Sequence, residues 1–229
     1  MNPAIQTTLL TSFGAMAALT MLAILILPSI HKIGPAEIGL VMKRFGRKLP
    51  GDDPVAFHGE AGYQAELLMP GLQFKFWPLY AVRKMPWVQV PAGQIGVVIA
   101  QVGAALPIGA KSAHYAPEFS TFTDLAAFLR HGGQKGVQRP VLPPGTLVPI
   151  HPVAFLVITQ KEVFGIPISP ELASSKNPKG HLSPEMFGLQ PEDLALTVIS
   201  PQPRGTDGAV LDMVGIVTTL EGNPLPSGH

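Results

Sequence analysis

The chain has 229 residues, of which 46% are hydrophobic and 14% charged, and its formal net charge is +1. This composition excludes a disordered chain, and the near-neutral charge without a basic stripe predicts no nucleic-acid partner. The chain contains no cysteine, which excludes disulfides, thiolate metal sites and lipid attachment through cysteine.

The first predicted element is a membrane-spanning helix over residues 9–30, which follows an N-terminal tail at residues 1–8. The segment reads LLTSFGAMAALTMLAILILPSI and carries no ionisable side chain, and about 20 apolar residues suffice to cross a bilayer. A cleaved signal peptide is the alternative. The anchor is favoured because a basic region before the segment and a small-residue cleavage site after it are both missing.

A cluster of basic residues follows this segment and predicts which side of the membrane the rest of the chain occupies. Positive flanks favour the cytoplasmic side, so we expect a single-pass protein with a cytoplasmic soluble part. These residues could also form the solvated face of a strand and turn, and both roles are compatible with attraction to anionic headgroups. The cluster comprises Lys32, Lys43, Arg44, Arg47 and Lys48.

An internal repeat follows the helix. The pattern I/V-G-x-V, four residues, G, two residues, L-P begins at Ile38, Ile95 and Val214, and its β-branched residues predict a strand closed by a turn. We interpret its glycines as structural turn residues. The first glycines of the three copies are Gly39, Gly96 and Gly215.

A second repeated segment contains L-x-P-G. GYQAELLMPGLQFKFWPLY from Gly62 matches GVQRPVLPPGTLVPIHPVA from Gly136 without gaps. Proline followed by glycine is typical of the central positions of a type II turn, in which the glycine needs a positive φ. These structural turn residues are Pro70 and Gly71 in the first copy, and Pro144 and Gly145 in the second. After the first turn, the alternation of Leu72, Phe74 and Phe76 with polar residues predicts a half-buried strand.

These elements predict an α+β, strand-rich fold of repeated small modules. The first module spans residues 33–90 and the second 91–169, with a short helix capped by Thr121 and Asp124 and stopped by Gly132. A proline-rich connection at 170–208 contains a predicted strand in QPEDLALTVI. A third module starts within residues 209–229 and is incomplete. The chain is either a natural short form or the N-terminal part of a longer protein, and the second interpretation is favoured because the third module lacks its L-x-P-G half.

Chemistry-bearing motifs are scarce. The histidines show neither H-x3-H nor HExxH spacing, and neither G-x-S-x-G nor a Walker sequence is present. We therefore predict no catalytic residue, no metal site, no cofactor and no enzymatic activity. Trp77 and Trp87 flank the basic pair Arg83 and Lys84, which is compatible with an interfacial aromatic belt or with ordinary packing.

The membrane segment followed by PAEIGLV, LLMPGLQF, VPAGQIGVV and RPVLPPGTLVPIHPVAF resembles the SPFH or band 7 family of stomatins, prohibitins and flotillins, and is most similar to large bacterial flotillin-like proteins. The resemblance covers about residues 33–169 and 210–228. It implies a membrane-tethered α+β scaffold that contacts the lipid bilayer, neighbouring membrane proteins and further copies of itself, and that organises membrane microdomains.

Two features depart from the family pattern. The chain contains no heptad run for the coiled coil that usually drives assembly, and a single span replaces acylated cysteines or hydrophobic hairpins. The alternative function is a single-pass subunit of an envelope complex with its soluble part outside the cytoplasm.

Overall fold

The computed structural model describes residues 3–51, 53–174, 182–204 and 209–217. It begins with α1 (Pro3–Ile26), which is followed by a 3-10 turn at Leu27–Ser29. This helix starts nearer the N-terminus than the predicted span at 9–30 and ends earlier, because Pro28 cannot donate the next helical hydrogen bond. Among the described residues, the segment Thr11–Ser29 is long and apolar enough to cross a membrane, and a signal sequence would satisfy the same criterion.

Six strands follow α1 and form the first half of the fold. They are β1 (Ile30–Ile33), β2 (Glu37–Lys43), β3 (Val55–Ala56), β4 (Gly62–Leu68), β5 (Gly71–Phe74) and β6 (Tyr80–Pro86). Four of them make a sheet in the order β3-β4-β2-β6, in which only β3 and β4 run parallel. β1 and β5 form a separate antiparallel pair.

The second half contains six shorter strands and one well-formed helix. These elements are β7 (Val88–Gln89), β8 (Val97–Ala100), α2 (Leu125–Arg130), β9 (Gly136–Val137), β10 (Leu147–Val148), β11 (Phe155–Ile158) and β12 (Val163–Phe164). Four strands form an antiparallel sheet in the order β12-β11-β8-β9, and β10 pairs with β7.

The short helix α2 starts one turn later than the predicted capping box requires. Asp124 is its N-cap, and its carboxylate accepts a hydrogen bond from Ala127 N–H at 2.9 Å. Thr121 does not serve as the cap, because it lies in the preceding 3-10 segment with a φ of +54°. Gly132 follows the helix with a φ of +78°, which is the left-handed conformation that commonly ends a helix.

One large apolar core joins the two halves. It contains Leu40 and Val55 from the first sheet together with Val98 and Phe155 from the second. Four phenylalanines lie at its centre with ring centroids 4.9 to 6.2 Å apart, and such pairs add stabilisation beyond the burial of their area. These rings belong to Phe119, Phe122, Phe128 and Phe155.

The segment after the second sheet is less regular than the sequence predicts. It contains α3 (Pro170–Ser174), two 3-10 turns, β13 (Gln202–Arg204) and β14 (Ala209–Leu211), the last two as an antiparallel pair. The strand predicted in QPEDLALTVI is wrong at its start, where Pro191–Leu194 forms a 3-10 turn. The Asp193 carboxylate accepts from Gln190 N–H at 2.9 Å, so a local cap replaces strand pairing. The third-module prediction beyond residue 217 lies outside the described residues.

Candidate membrane interface

Ser29 joins the end of α1 to the first half of the fold. Its side chain is 0% exposed, and its hydroxyl donates to Leu25 O at 2.6 Å while accepting from Trp77 N–H at 2.9 Å. Lys75 N–H donates to the carbonyl of Ser29 at 2.9 Å. These bonds satisfy polar groups at the helix end that have no partner within the helix, and they hold α1 against the segment that follows β5.

Three of the four side chains on the outward side of the β1–β5 pair are apolar, and the fourth is Lys32. Ile30 lies opposite Phe74, and Lys32 lies opposite Leu72. All four side chains are exposed, with Leu72 at 75% and Phe74 at 60%. We call these four residues the β1–β5 face. The half-buried strand predicted around Leu72 therefore has its apolar residues on the exposed side, and the sequence interpretation missed this face and Ser29.

The opposite side of the same pair packs on the first sheet. Ile33 is buried in a small cluster with Val41 and Leu68, against which Tyr80 and Val82 also pack. This packing occupies the inner side of β1. The other side of β1 remains exposed in the described part of the chain.

Aromatic and basic side chains lie beside the end of α1. Trp77 is exposed, and the Arg44 guanidinium lies 5.7 Å from the centroid of its ring. A cation at this distance is attracted to the face of the ring. Trp87, by contrast, donates its indole N–H to Glu37 O at 3.0 Å, so it is fixed against β2.

The five predicted basic residues occupy different places. Lys32 belongs to the β1–β5 face and Arg44 lies over Trp77, so these two are close to the end of α1. Lys43 donates to Gly59 O. Arg47 and Lys48 are exposed in the bend after β2 and in the residue following it. The structure thus places two of the five beside the helix end.

The predicted turn residues fall into two classes. Gly71 and Gly145 have φ values of +128° and +76°, and Thr146 N–H donates to Pro143 O at 3.3 Å around Pro144 and Gly145. Pro70 lies in the bend just before β5. Gly71 and Gly145 are therefore positions where a non-glycine residue would be strained.

The first glycines of the I/V-G-x-V pattern are not turn residues. Gly39 lies inside β2, and Gly96 forms an isolated bridge with Leu142. Gly215 lies in the extended segment after β14, where an added Cβ would collide with Ile199. Gly39 and Gly96 are surrounded by close side chains from other segments, whereas the close neighbour of Gly215 is the end of the exposed Ile199 side chain. None of the three has a positive φ.

Comparisons with protein-family models, with curated proteins and with solved structures find no match to this chain. Among the described residues, no group of three or more His, Asp or Glu side chains is placed to hold a metal ion. The geometry of the helix end and of the β1–β5 face is therefore the main guide to function.

Proposed function

We propose that this chain is a membrane-anchored scaffold of the SPFH or band 7 type, which organises membrane microdomains or modulates neighbouring membrane proteins through protein contacts. The observation that carries the proposal is the bonding of Ser29 to Lys75 and Trp77, which ties α1 to a sheet pair with an apolar outer side. The soluble part then lies close to the bilayer, with the β1–β5 face at the headgroup level.

The chemistry of this face favours lipid over water. A contiguous apolar surface beside a membrane-spanning helix gains free energy when headgroups and acyl chains cover it. Aromatic residues such as Trp77 prefer the interface, and Lys32 and Arg44 can approach anionic headgroups. A soluble part held against lipid in one orientation presents the same side to every neighbour, as a scaffold requires.

The strand pairing supports the proposal of repeated modules. β2 lies between β4 and β6, and β8 lies between β9 and β11. The repeat aligns Val41 with Val98, and these residues pair with Val82 and Val157 respectively. Met42 pairs with Tyr63, and the equivalent Ile99 pairs with Val137. The corresponding central strands thus pair in the same register with β4 and β9. Their pairings with β6 and β11 differ by one residue, because the gap-free repeat extended to this point aligns Val82 with Leu156.

The surroundings of the repeated glycines support the same modules. A Cβ added to Gly39 would lie 3.0 to 3.1 Å from atoms of Leu68, Ile33 and Val82. One added to Gly96 would lie 2.9 to 3.4 Å from Val90, Leu142 and Val157. In each module a hydrophobic residue six positions before the glycine, a leucine from the second repeated segment and a valine from a neighbouring strand converge on the glycine.

A repeated glutamine provides a third correspondence. The Gln64 amide donates to Glu60 O and Gly62 O, both at 2.9 Å. The Gln138 amide donates to Gln134 O at 2.7 Å and Gly136 O at 2.8 Å. Both side chains therefore bond to the carbonyls four and two residues before them. Two modules with the same local hydrogen bonds are compatible with a scaffold, which acts by offering surfaces for other proteins to bind.

The orientation and the lipid contact are tested by single-cysteine variants, since the chain has no cysteine of its own. Ile108 is fully exposed, so Ile108→Cys is expected to resist a membrane-impermeant maleimide in intact cells and to react quickly once the membrane is permeabilised. Phe74→Cys is expected to react several-fold more slowly in permeabilised membranes. Rapid labelling of Ile108→Cys from outside would contradict the cytoplasmic orientation, and equal rates would contradict the lipid contact.

The scaffold function is tested by the assembly and mobility of the full chain. A fluorescent fusion at native abundance is expected to form slowly diffusing clusters with several subunits, counted by stepwise photobleaching. A control chain in which an unrelated apolar span replaces α1 is expected to cluster equally if the soluble part carries assembly. Single subunits that diffuse freely in both chains would contradict the proposal.

A further inference from the structure

Residues from two edge strands line the same cleft. In the described part of the chain, β6 pairs only with β2, and β12 pairs only with β11. Each therefore presents backbone N–H and C=O groups on its free side. Between them lies a cavity of about 300 Å³. Its lining includes Arg83 and Met85 of β6 and Val163 and Phe164 of β12.

The cleft is suited to an extended peptide. Ile150 and Phe155 give it an apolar base, and its volume is at the small end of the roughly 300 to 1,000 Å³ typical of small-molecule pockets. A strand inserted between two open edges would bond through its backbone on both sides and place alternate side chains in the cavity. Those side chains would be apolar, since the base of the cleft is apolar.

The chain itself carries such a segment. Residues 212–217 follow β14 and have no strand partner among the described residues. Val214, Ile216 and Val217 are 84%, 90% and 87% exposed, which is unfavourable for apolar side chains in water. In this structure Gly215 lies against Ile199, and neither residue lines the cleft.

Charge favours the pairing of this segment with β6. Asp212 is the one charged residue in the sequence AVLDMVGIV at 209–217. Arg83 and Lys84 on β6 are exposed, and neither belongs to an ion pair in the described residues. Asp212, at the start of the apolar segment, would therefore lie near Arg83 and Lys84 if the segment paired with β6.

We infer that residues 212–217 of a second copy add a strand between β6 and β12, which joins the two sheets of the first copy. The inference rests on the proposed scaffold function, because it requires copies held in the same membrane. The contact is heterologous, since the segment and the cleft are different surfaces. Repetition of such a contact produces a ring if the rotation closes and a filament if it does not.

Disulfide trapping in native membranes tests this contact. Two differently tagged full-length chains are co-expressed, one with Met85→Cys and the other with Val214→Cys or Ile216→Cys, and are oxidised under mild conditions. A disulfide needs Cα atoms within about 4.4 to 6.8 Å, so a product that carries both tags is expected only if the segment occupies the cleft. Ile108→Cys paired with Ile216→Cys is the control, because Ile108 is exposed and does not line the cleft.

The outcomes separate this inference from the proposed function. A mixed-tag dimer from the Met85→Cys pair, absent from the Ile108→Cys pair, supports the strand addition. Clusters that persist without that dimer overturn the strand addition and leave the scaffold function in place. If a chain that carries both Met85→Cys and Ile216→Cys forms only an intramolecular disulfide, the assignment of the segment to a second copy is overturned. Single subunits without dimers overturn both proposals. The thermal unfolding midpoint of each variant is compared with the parent's, so that a folding defect is recognised directly.

Discussion

Replacing Gly96 with valine is expected to lower the free energy of unfolding by about 3 kcal/mol or more. A Cβ at this position would lie 2.9 Å from Val90 Cγ2 and 3.3 Å from Leu142 Cβ. Both neighbours are buried, so they have little room to move, and overpacking of a close-packed core costs about 1 to 3 kcal/mol even for small additions. Gly39→Val is expected to have a similar effect, because Gly39 is surrounded in the same way.

Thermal unfolding in detergent measures both variants. For a chain of this size each 1 kcal/mol lowers the midpoint by roughly 2 to 4 °C, so Gly96→Val should unfold about 6 °C or more below the parent. The midpoint of Gly96→Ala is expected to lie between those of the parent and of Gly96→Val. Gly14→Ala is the matched control, because a Cβ at Gly14 meets no atom within 4 Å. If Gly39→Val and Gly96→Val unfolded at the parent's midpoint, the close packing described around these two glycines would be contradicted.

Much of the fold follows from local sequence signals. The α+β class, the apolar helix and the positive φ at Gly71 and Gly145 rest on composition, on proline and glycine positions and on residue alternation. Such signals act within a few residues, so they can be read without the tertiary structure. The predicted capping box at Thr121 and the predicted strand after Gln190 are wrong because a nearby aspartate forms a local cap instead, Asp124 at α2 and Asp193 at the 3-10 turn.

The candidate interface depended on tertiary information. Alternation correctly groups Leu72 with Phe74, but it does not tell which side of a strand faces the core. That choice is made by Ile33, which packs in the small cluster on the inner side of β1, so the other side is left exposed. Ser29 gave no signal either, because its partners at Lys75 and Trp77 are distant in the sequence.

The role of Gly39 and Gly96 was misread for a related reason. A glycine before a β-branched residue is compatible with a turn, a bulge or a close approach of neighbouring side chains. Only the neighbours decide between these, and at both positions they are side chains from other segments of the chain. The repeated pattern was visible in the sequence, whereas its physical cause was not.

His151 connects the two halves of the fold through a buried imidazole. Its Nδ1 accepts from Val153 N–H at 3.3 Å and from Ala154 N–H at 3.1 Å. The proton must therefore be on Nε2, which lies 3.0 Å from Gln64 O and donates to it. Burial lowers the pKa of His151 from its ordinary 6.5 to about 4, because the charged form would lose its hydration, and the hydrogen bond to Gln64 O only partly opposes this shift.

This shift predicts a loss of stability in mild acid. The unfolded chain binds a proton at His151 near pH 6.5 and the folded chain only near pH 4, so between these values the unfolded state holds more protons. The contribution of neutral His151 to the free energy of unfolding is complete above about pH 6.5. It falls by about 3 kcal/mol in total as the pH is lowered toward 4. Denaturant unfolding at intervals across this range measures the slope.

A matched variant isolates the histidine from the other titrating groups. In His151→Asn the amide oxygen can accept from the same two backbone N–H groups, as asparagine does in local turns, but the side chain does not titrate and is too short to reach Gln64. We expect this variant to be less stable than the parent at pH 7 and to lose less stability as the pH falls to 4, so that the two curves converge. Parallel curves would show that His151 is protonated in the folded chain as readily as in the unfolded one, and would contradict the buried neutral imidazole between the two halves.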